Sequence, residues 1–205
     1  LSWNSLTYFG DSMLLLPSGI IIALFMAWKV TGRLTPWAWL FTFGLTGFIV
    51  SVSKLLFLGW GIGSATYDFT GFSGHTTMSA TFWPVLMWLL SGGYRRGIHR
   101  TMIVIGYLLP VMIGISRVVL QAHSPSEVIT GLILGLSASS LFLYAHRHQT
   151  VKHFTLPQLA MMLILPIILL STGHKATTQN MIEQLAAYIT GHPPWTRAQL
   201  LSELH

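Results

Sequence analysis

Seven residues in three short stretches have the types and spacing for chemistry on a phosphate. SRVVLQAHSPSE, residues 116–127, presents Arg117, His123 and Glu127. FSGHTT presents Ser73, Gly74 and His75, and SKLLFLGWGIG opens with Lys54 in its second position. Lysine and arginine are fixed cations able to clamp a phosphoryl group, arginine through two oxygens at once. Ser73 and Gly74 stand at an expected helix start, where free N–H groups and the helix dipole favour an anion. Glycine there lets the main chain approach closely. Two histidines remain, enough for a nucleophile and a proton donor. His123 and Glu127 are four apart at a helix start, so the carboxylate can reach a ring N–H. It would hold the tautomer and stabilise the imidazolium. Ser124, Pro125 and Glu127 also fit a capping box, with serine at the cap, proline first and glutamate third. Capping alone leaves His123 and Arg117 without a role, and the two readings are compatible. One carboxylate beside two histidines is not a metal cage, so no metal or other cofactor is expected.

These residues must be held by long apolar elements. The chain has 205 residues, 52% hydrophobic, and only 8% carry charge. A soluble domain carries about 25% charged residues, so the composition points to a membrane protein. Cysteine is absent, which excludes disulfides and thiolate metal sites. The formal charge is +6, but the basic residues lie in short clusters between apolar runs. That pattern fits membrane topology and not a nucleic-acid partner.

Spanning helices need about 20 mostly apolar residues, and about 17 suffice at the short end. Six runs qualify, at 12–30, 36–58, 76–91, 100–119, 125–144 and 156–172. The first lacks the small-residue cleavage pattern of a secretory signal and reads as a retained span. The third and sixth are short, and the sixth carries Gln158 and Pro166. The expected fold is therefore all-α, a polytopic membrane protein of six transmembrane helices over residues 1–172. A tail over 173–205 follows, with two amphipathic helices lying on the membrane surface or packed on the bundle. The first of these shows Met181, Ile182, Leu185, Tyr188 and Ile189 at helical spacing, and Thr196 is placed to cap the second.

Six spans sort the loops into two sets. Residues 29–35, 92–100 and 146–155 hold Lys29, Arg33, Arg95, Arg96, Arg100, Arg147 and Lys152 and no acid. The other set comprises both termini and the loops near 59–75 and 117–124. It holds Lys54, Arg117, Lys175 and Arg197 with all five acids: Asp11, Asp68, Glu127, Glu183 and Glu203. Lysine and arginine bias sets orientation, so the first set is expected in the cytoplasm and every motif on the periplasmic side. Asp11 reads as an interfacial helix start and Asp68 as a loop or capping residue. His146, His148 and His153 read as surface residues of the basic loops. Trp3, Trp28, Trp37, Trp60 and Trp195 read as an aromatic belt, and Gly44, Gly47 and Gly114 as close-packing positions between helices.

The motifs resemble those of the type-2 phosphatidic acid phosphatase family, the integral membrane lipid phosphate phosphatases. That family's third signature is Ser-Arg, five residues, His, three residues, Asp. Ser116-Arg117, His123 and Glu127 stand at that spacing, with glutamate for aspartate, and Gly131 matches the glycine usual one turn later. The second signature, Pro-Ser-Gly-His, stands here as Phe72-Ser73-Gly74-His75. The first begins with lysine and ends seven residues on with Arg-Pro. Lys54 fits its start, but positions 61 and 62 are glycine and isoleucine. No other arginine stands near that loop in the sequence, which leaves Lys54 and Arg117 to carry the charge. The resemblance covers residues 50–145.

It implies catalysis without metal in two steps. His123 would attack phosphorus to form a phosphohistidine, with Glu127 supporting the ring. His75 would protonate the leaving oxygen and then activate water. Lys54, Arg117, Ser73 and the Gly74 amide would hold the non-bridging oxygens. The expected activity is a lipid phosphatase of the bacterial inner membrane, working on a lipid phosphate among membrane lipids, with undecaprenyl pyrophosphate first. Lipid A or phosphatidylglycerol phosphate, or phosphate transfer, are alternatives. A transporter or scaffold with a degenerate site is the alternative of another class.

Overall fold

Runs of apolar residues, proline-opened starts and glycine ends dictate where the helices lie. The structure is a computed structural model and describes residues 2–172 and 178–202. A short helix α1 (Trp3–Thr7) and a 3-10 turn (Tyr8–Gly10) lead into α2 (Ser12–Lys29), then α3 (Thr35–Trp60) and α4 (Gly74–Leu90). Helices α5 (Arg96–Val119), α6 (Pro125–Ala145) and α7 (Leu156–Thr172) follow, and α8 (Thr178–Thr190) and α9 (Arg197–Ser202) form the tail. Lys175 and Glu203 lie outside the described residues. Among the described residues the fold is all-helical, with only two isolated β-bridges.

Each of the six expected runs forms a helix. Four of them, α2, α3, α5 and α6, are long and apolar enough to cross a membrane. The other two, α4 and α7, have 17 residues each. Large apolar side chains point outward all along the bundle, among them Leu24, Phe41, Phe48, Leu108, Ile133 and Leu141. A protein surface of that kind is suited to hydrocarbon and not to water.

The shortest of the central helices is the most enclosed. Helix α4 packs against α2, α3, α5 and α6, and buries Thr76 through Phe82 without a break. Its hydroxyls are satisfied within the helix: Thr77 donates to the Ser73 carbonyl, Thr81 to that of Thr77, and Ser79 to that of Thr76. Small polar residues can therefore lie in the middle of an apolar bundle with no unpaired group. Close approach of α6 to α4 depends on Gly131 and Gly135. A Cβ at Gly131 would meet the Thr77 hydroxyl at 2.7 Å, and one at Gly135 would meet the Thr77 carbonyl. Gly114 has the packing role expected of it, since a Cβ there would meet Val128 at 2.8 Å. Below this layer Trp39 is fully buried among Phe43, Phe82 and Phe142, and its indole N–H donates to the Gly19 carbonyl.

The basic loops meet at one end of the bundle. Val30 bridges Val151, the Lys29 ammonium donates to the His153 carbonyl, and the Tyr94 ring lies 4.3 Å from that of His153. His146 packs on Phe142 and bonds the Phe142 carbonyl. These histidines thus serve local structure, as their place in the basic loops implies.

The tail packs on the bundle, one of the two arrangements expected for it. Helix α8 lies against α3, but it turns Ile182 and Ala186 inward and leaves Met181, Leu185, Tyr188 and Ile189 exposed. Most of the apolar stripe read from the spacing therefore faces outward. Thr196 caps α9 as expected, accepting from the Gln199 N–H.

Candidate active site

At the opposite end from the basic loops, seven segments of the chain converge on a cavity of about 310 Å³. It is lined by Lys54 from α3, Thr70 and Gly71 from the following loop, His75 from α4, Arg117 from α5 and His123 from the α5–α6 turn. Gln179 of α8 and Arg197 of α9 complete the wall.

The α5–α6 turn sets the geometry of the pair noted in the sequence. Helix α5 ends at Val119, and Gln121 takes a left-handed conformation, φ 53°. Ser124 then caps α6, accepting from the Glu127 N–H at 3.3 Å, while Glu127 Oε2 accepts from the Ser124 N–H at 3.2 Å. The same oxygen lies 2.7 Å from His123 Nδ1. Capping and orientation of the imidazole therefore coexist in one carboxylate, which is fully buried. Its other oxygen, Oε1, accepts from both the N–H and the hydroxyl of Thr70 and from Arg197 Nη2. With Nδ1 committed to Glu127, Nε2 of His123 is the ring atom left for chemistry. Burial lowers the His123 pKa from its ordinary value, against the opposing pull of the hydrogen bond to Glu127 and its charge.

The cations are placed for an anion. Lys54 donates to Gln179 Oε1 at 2.8 Å. Arg117 Nη1 donates to the Thr7 hydroxyl at 2.9 Å, and its Nε is buried with no partner among the described residues. Asp11 stands near His75, its Oδ2 4.0 Å from Nε2, beyond hydrogen-bond reach. Asp11 also starts α2 as expected, accepting from the Met13 N–H at 2.8 Å.

Two expected phosphate contacts do not line this cavity. Ser73 is fully buried, with its hydroxyl 2.9 Å from that of Thr76, and it is not among the residues lining the cavity. Gly74 lines a second cavity of about 290 Å³ beside the first, between α2, α3, α4 and α8. That groove is walled by Leu16, Phe43, Val50, Met78 and Ile182, and it shares Lys54, His75 and Gln179 with the polar cavity. Gly44 also lines it, and a Cβ there would meet nothing within 4 Å. Gly44 is therefore not a close-packing position but an opening in the wall.

A family model described as the PAP2 superfamily matches residues 12–150. The chain belongs to the PAP2 superfamily. Members of this superfamily are generally phosphatases acting on phosphate esters, and the matched region contains Lys54, His75, Arg117, His123 and Glu127. A protein of Klebsiella pneumoniae is 42% identical over 204 residues, 98% of each chain; it is described as an uncharacterized 22.5 kDa protein in the cps region. No solved structure matches the chain. The PAP2 match ends before α8 and α9, so Gln179 and Arg197 lie beyond it. Motif spacing missed both. The only signal was their place on the motif-bearing side when loops are sorted by charge. Trp195, expected in an aromatic belt, packs its ring on Gly61.

Proposed function

We propose that this PAP2 protein is a lipid phosphatase, hydrolysing a phosphomonoester or pyrophosphate at the periplasmic end of a six-span bundle. One observation carries the lipid assignment: the polar cavity and the apolar groove adjoin, sharing Lys54, His75 and Gln179. A phosphate held by the cations would have its hydrocarbon chain led into the groove. Undecaprenyl pyrophosphate is the first substrate to try, because outward orientation suits recycling of a lipid carrier.

In the proposed reaction His123 Nε2 attacks phosphorus in line with the leaving oxygen. The P–O bond breaks as N–P forms, and His75 gives its proton to the departing oxygen. His75 then takes a proton from water, which attacks phosphorus and releases His123. Glu127 holds the ring and balances its charge when the phosphohistidine forms. Lys54 and Arg117 hold the non-bridging oxygens, the place where phosphoryl transfer gains most from its enzyme.

The test is phosphate release by purified protein from undecaprenyl pyrophosphate, phosphatidylglycerol phosphate, phosphatidic acid and lipid A, wild type beside His123→Ala. Release by the wild type alone supports the reading. No release from any lipid defeats it and favours a transporter or scaffold. Release that survives the substitution defeats His123 as nucleophile.

A further inference from the structure

We propose that Arg197 is the third cation of the phosphate site, delivered by the C-terminal segment, and that the glycine at position 61 is what admits it. The proposal rests on the phosphatase reading above.

Gly61 ends α3 in a left-handed conformation, φ 68°, with its N–H bonded to the Leu56 and Phe57 carbonyls. A Cβ at this position would lie 3.0–3.2 Å from the indole of Trp195. Glycine thus meets two demands at once, the positive φ and the close approach of a large ring. The Trp195 N–H donates to the Leu58 carbonyl at 2.8 Å, which ties the tail to the end of α3. Phe57, Leu58, Ala186 and Leu200 form a small buried cluster below it. An arginine side chain at position 61, where the family's first signature has one, could not coexist with this docked ring.

Two residues beyond Trp195, the guanidinium of Arg197 enters the cavity that holds Lys54, Arg117, His75 and His123. Its Nη1 donates to Asp68 Oδ2 at 3.0 Å, and its Nη2 donates to Thr70 Oγ1 at 3.3 Å and to Glu127 Oε1 at 2.8 Å. A guanidinium has more donors than these three bonds use. The pairing also falls on the Glu127 oxygen that His123 does not use. Arg197 therefore offsets the negative charge that an incoming phosphate would meet, while leaving the imidazole contact intact. Lys54 and Arg117 do not carry the charge alone. The missing cation of the first signature is restored in space by a residue outside the region that the family model matches.

The test uses the full-length purified protein with two readouts: kcat/KM on the lipid phosphate that the wild type hydrolyses, and titration with inorganic phosphate. Loss of a charge-assisted pair of bonds corresponds to roughly 10- to 100-fold. Arg197→Ala is expected to lose that much in both kcat/KM and phosphate affinity, and millimolar guanidinium is expected to restore part of each. Restoration by a free guanidinium is a response that a structural role would not give. Should Arg197→Ala fail to fold, Arg197→Gln keeps polar contacts to Asp68 and Thr70 and carries the same expectation. Phosphate affinity equal to wild type in a folded variant overturns the assignment, as does a loss that guanidinium leaves untouched. A wild type that neither binds phosphate nor releases it defeats the underlying phosphatase reading instead.

Discussion

One oxygen of Glu127 lies 2.7 Å from His123 Nδ1 while the other accepts from Arg197 at 2.8 Å, so a fully buried carboxylate joins the imidazole to the C-terminal helix. Both oxygens are also bonded by main-chain N–H groups, from Ser124 and Thr70. Glu127→Gln keeps the size of the side chain but replaces one acceptor by a donor and removes the charge. With the ring unheld and the imidazolium character of the phosphohistidine unbalanced, kcat is expected to fall by roughly 10²- to 10⁴-fold. Glu127→Ala goes further, because it strands the cap N–H groups and Arg197, and is expected to destabilise the fold by about 3–5 kcal/mol. Phosphate-release assays and thermal unfolding in detergent separate the two effects.

The direction of the His123 shift gives a pH dependence. A nucleophilic imidazole must be neutral, and burial lowers its pKa, the influence of Glu127 only partly opposing this. Protonation of His123 is therefore expected to switch off kcat/KM below the ordinary histidine value of about 6.5 and not at it. Because Glu127 raises the His123 pKa, the residual activity of Glu127→Gln should show this acidic limb at still lower pH. A limb that moves upward in that variant would contradict the assignment of the titrating group.

Much of this was legible in the sequence, for physical reasons that differ by residue. Helix positions follow from the length of apolar runs, which is why all six runs form helices where expected. His123 precedes the Ser124 cap of α6 and Glu127 is its third residue, so the capping box brings the two together locally. Arg197 is a different case: it reaches Glu127 through a turn at Gly191, two prolines and the docking of Trp195 on Gly61, and no local spacing encodes that path. Ser73 is a third case. Its neighbours in the motif suggest an anion contact, but the enclosure of α4 turns its hydroxyl onto Thr76.

The apolar groove makes a prediction that separates the two cavities. Gly44 lines the groove and has open space where a Cβ would stand. Gly44→Leu is expected to fold, since a Cβ there meets nothing within 4 Å among the described residues. It should raise KM for a long-chain lipid phosphate by roughly tenfold, the effect of a filled hydrophobic subsite. Hydrolysis of a short-chain phosphate ester, which does not use the groove, should be unchanged. Equal effects on both substrates would place the hydrocarbon chain elsewhere.

The two ends of the bundle carry a prediction about orientation. Lys29, Arg95, Arg96, Arg100, Arg147 and Lys152 flank one end, where Val30 meets Val151. Ser64, in the loop between α3 and α4, bridges Phe69 at the other. A bias of lysine and arginine retains loops in the cytoplasm. In whole cells, an impermeant thiol reagent is expected to label Ser64→Cys and to leave His148→Cys unlabelled until the membrane is permeabilised. Because the chain has no cysteine of its own, each signal comes from the introduced thiol alone. Labelling in the opposite sense would put Lys54, His75, Arg117 and His123 on the cytoplasmic side, and with them the pool of lipid phosphates that the site can reach.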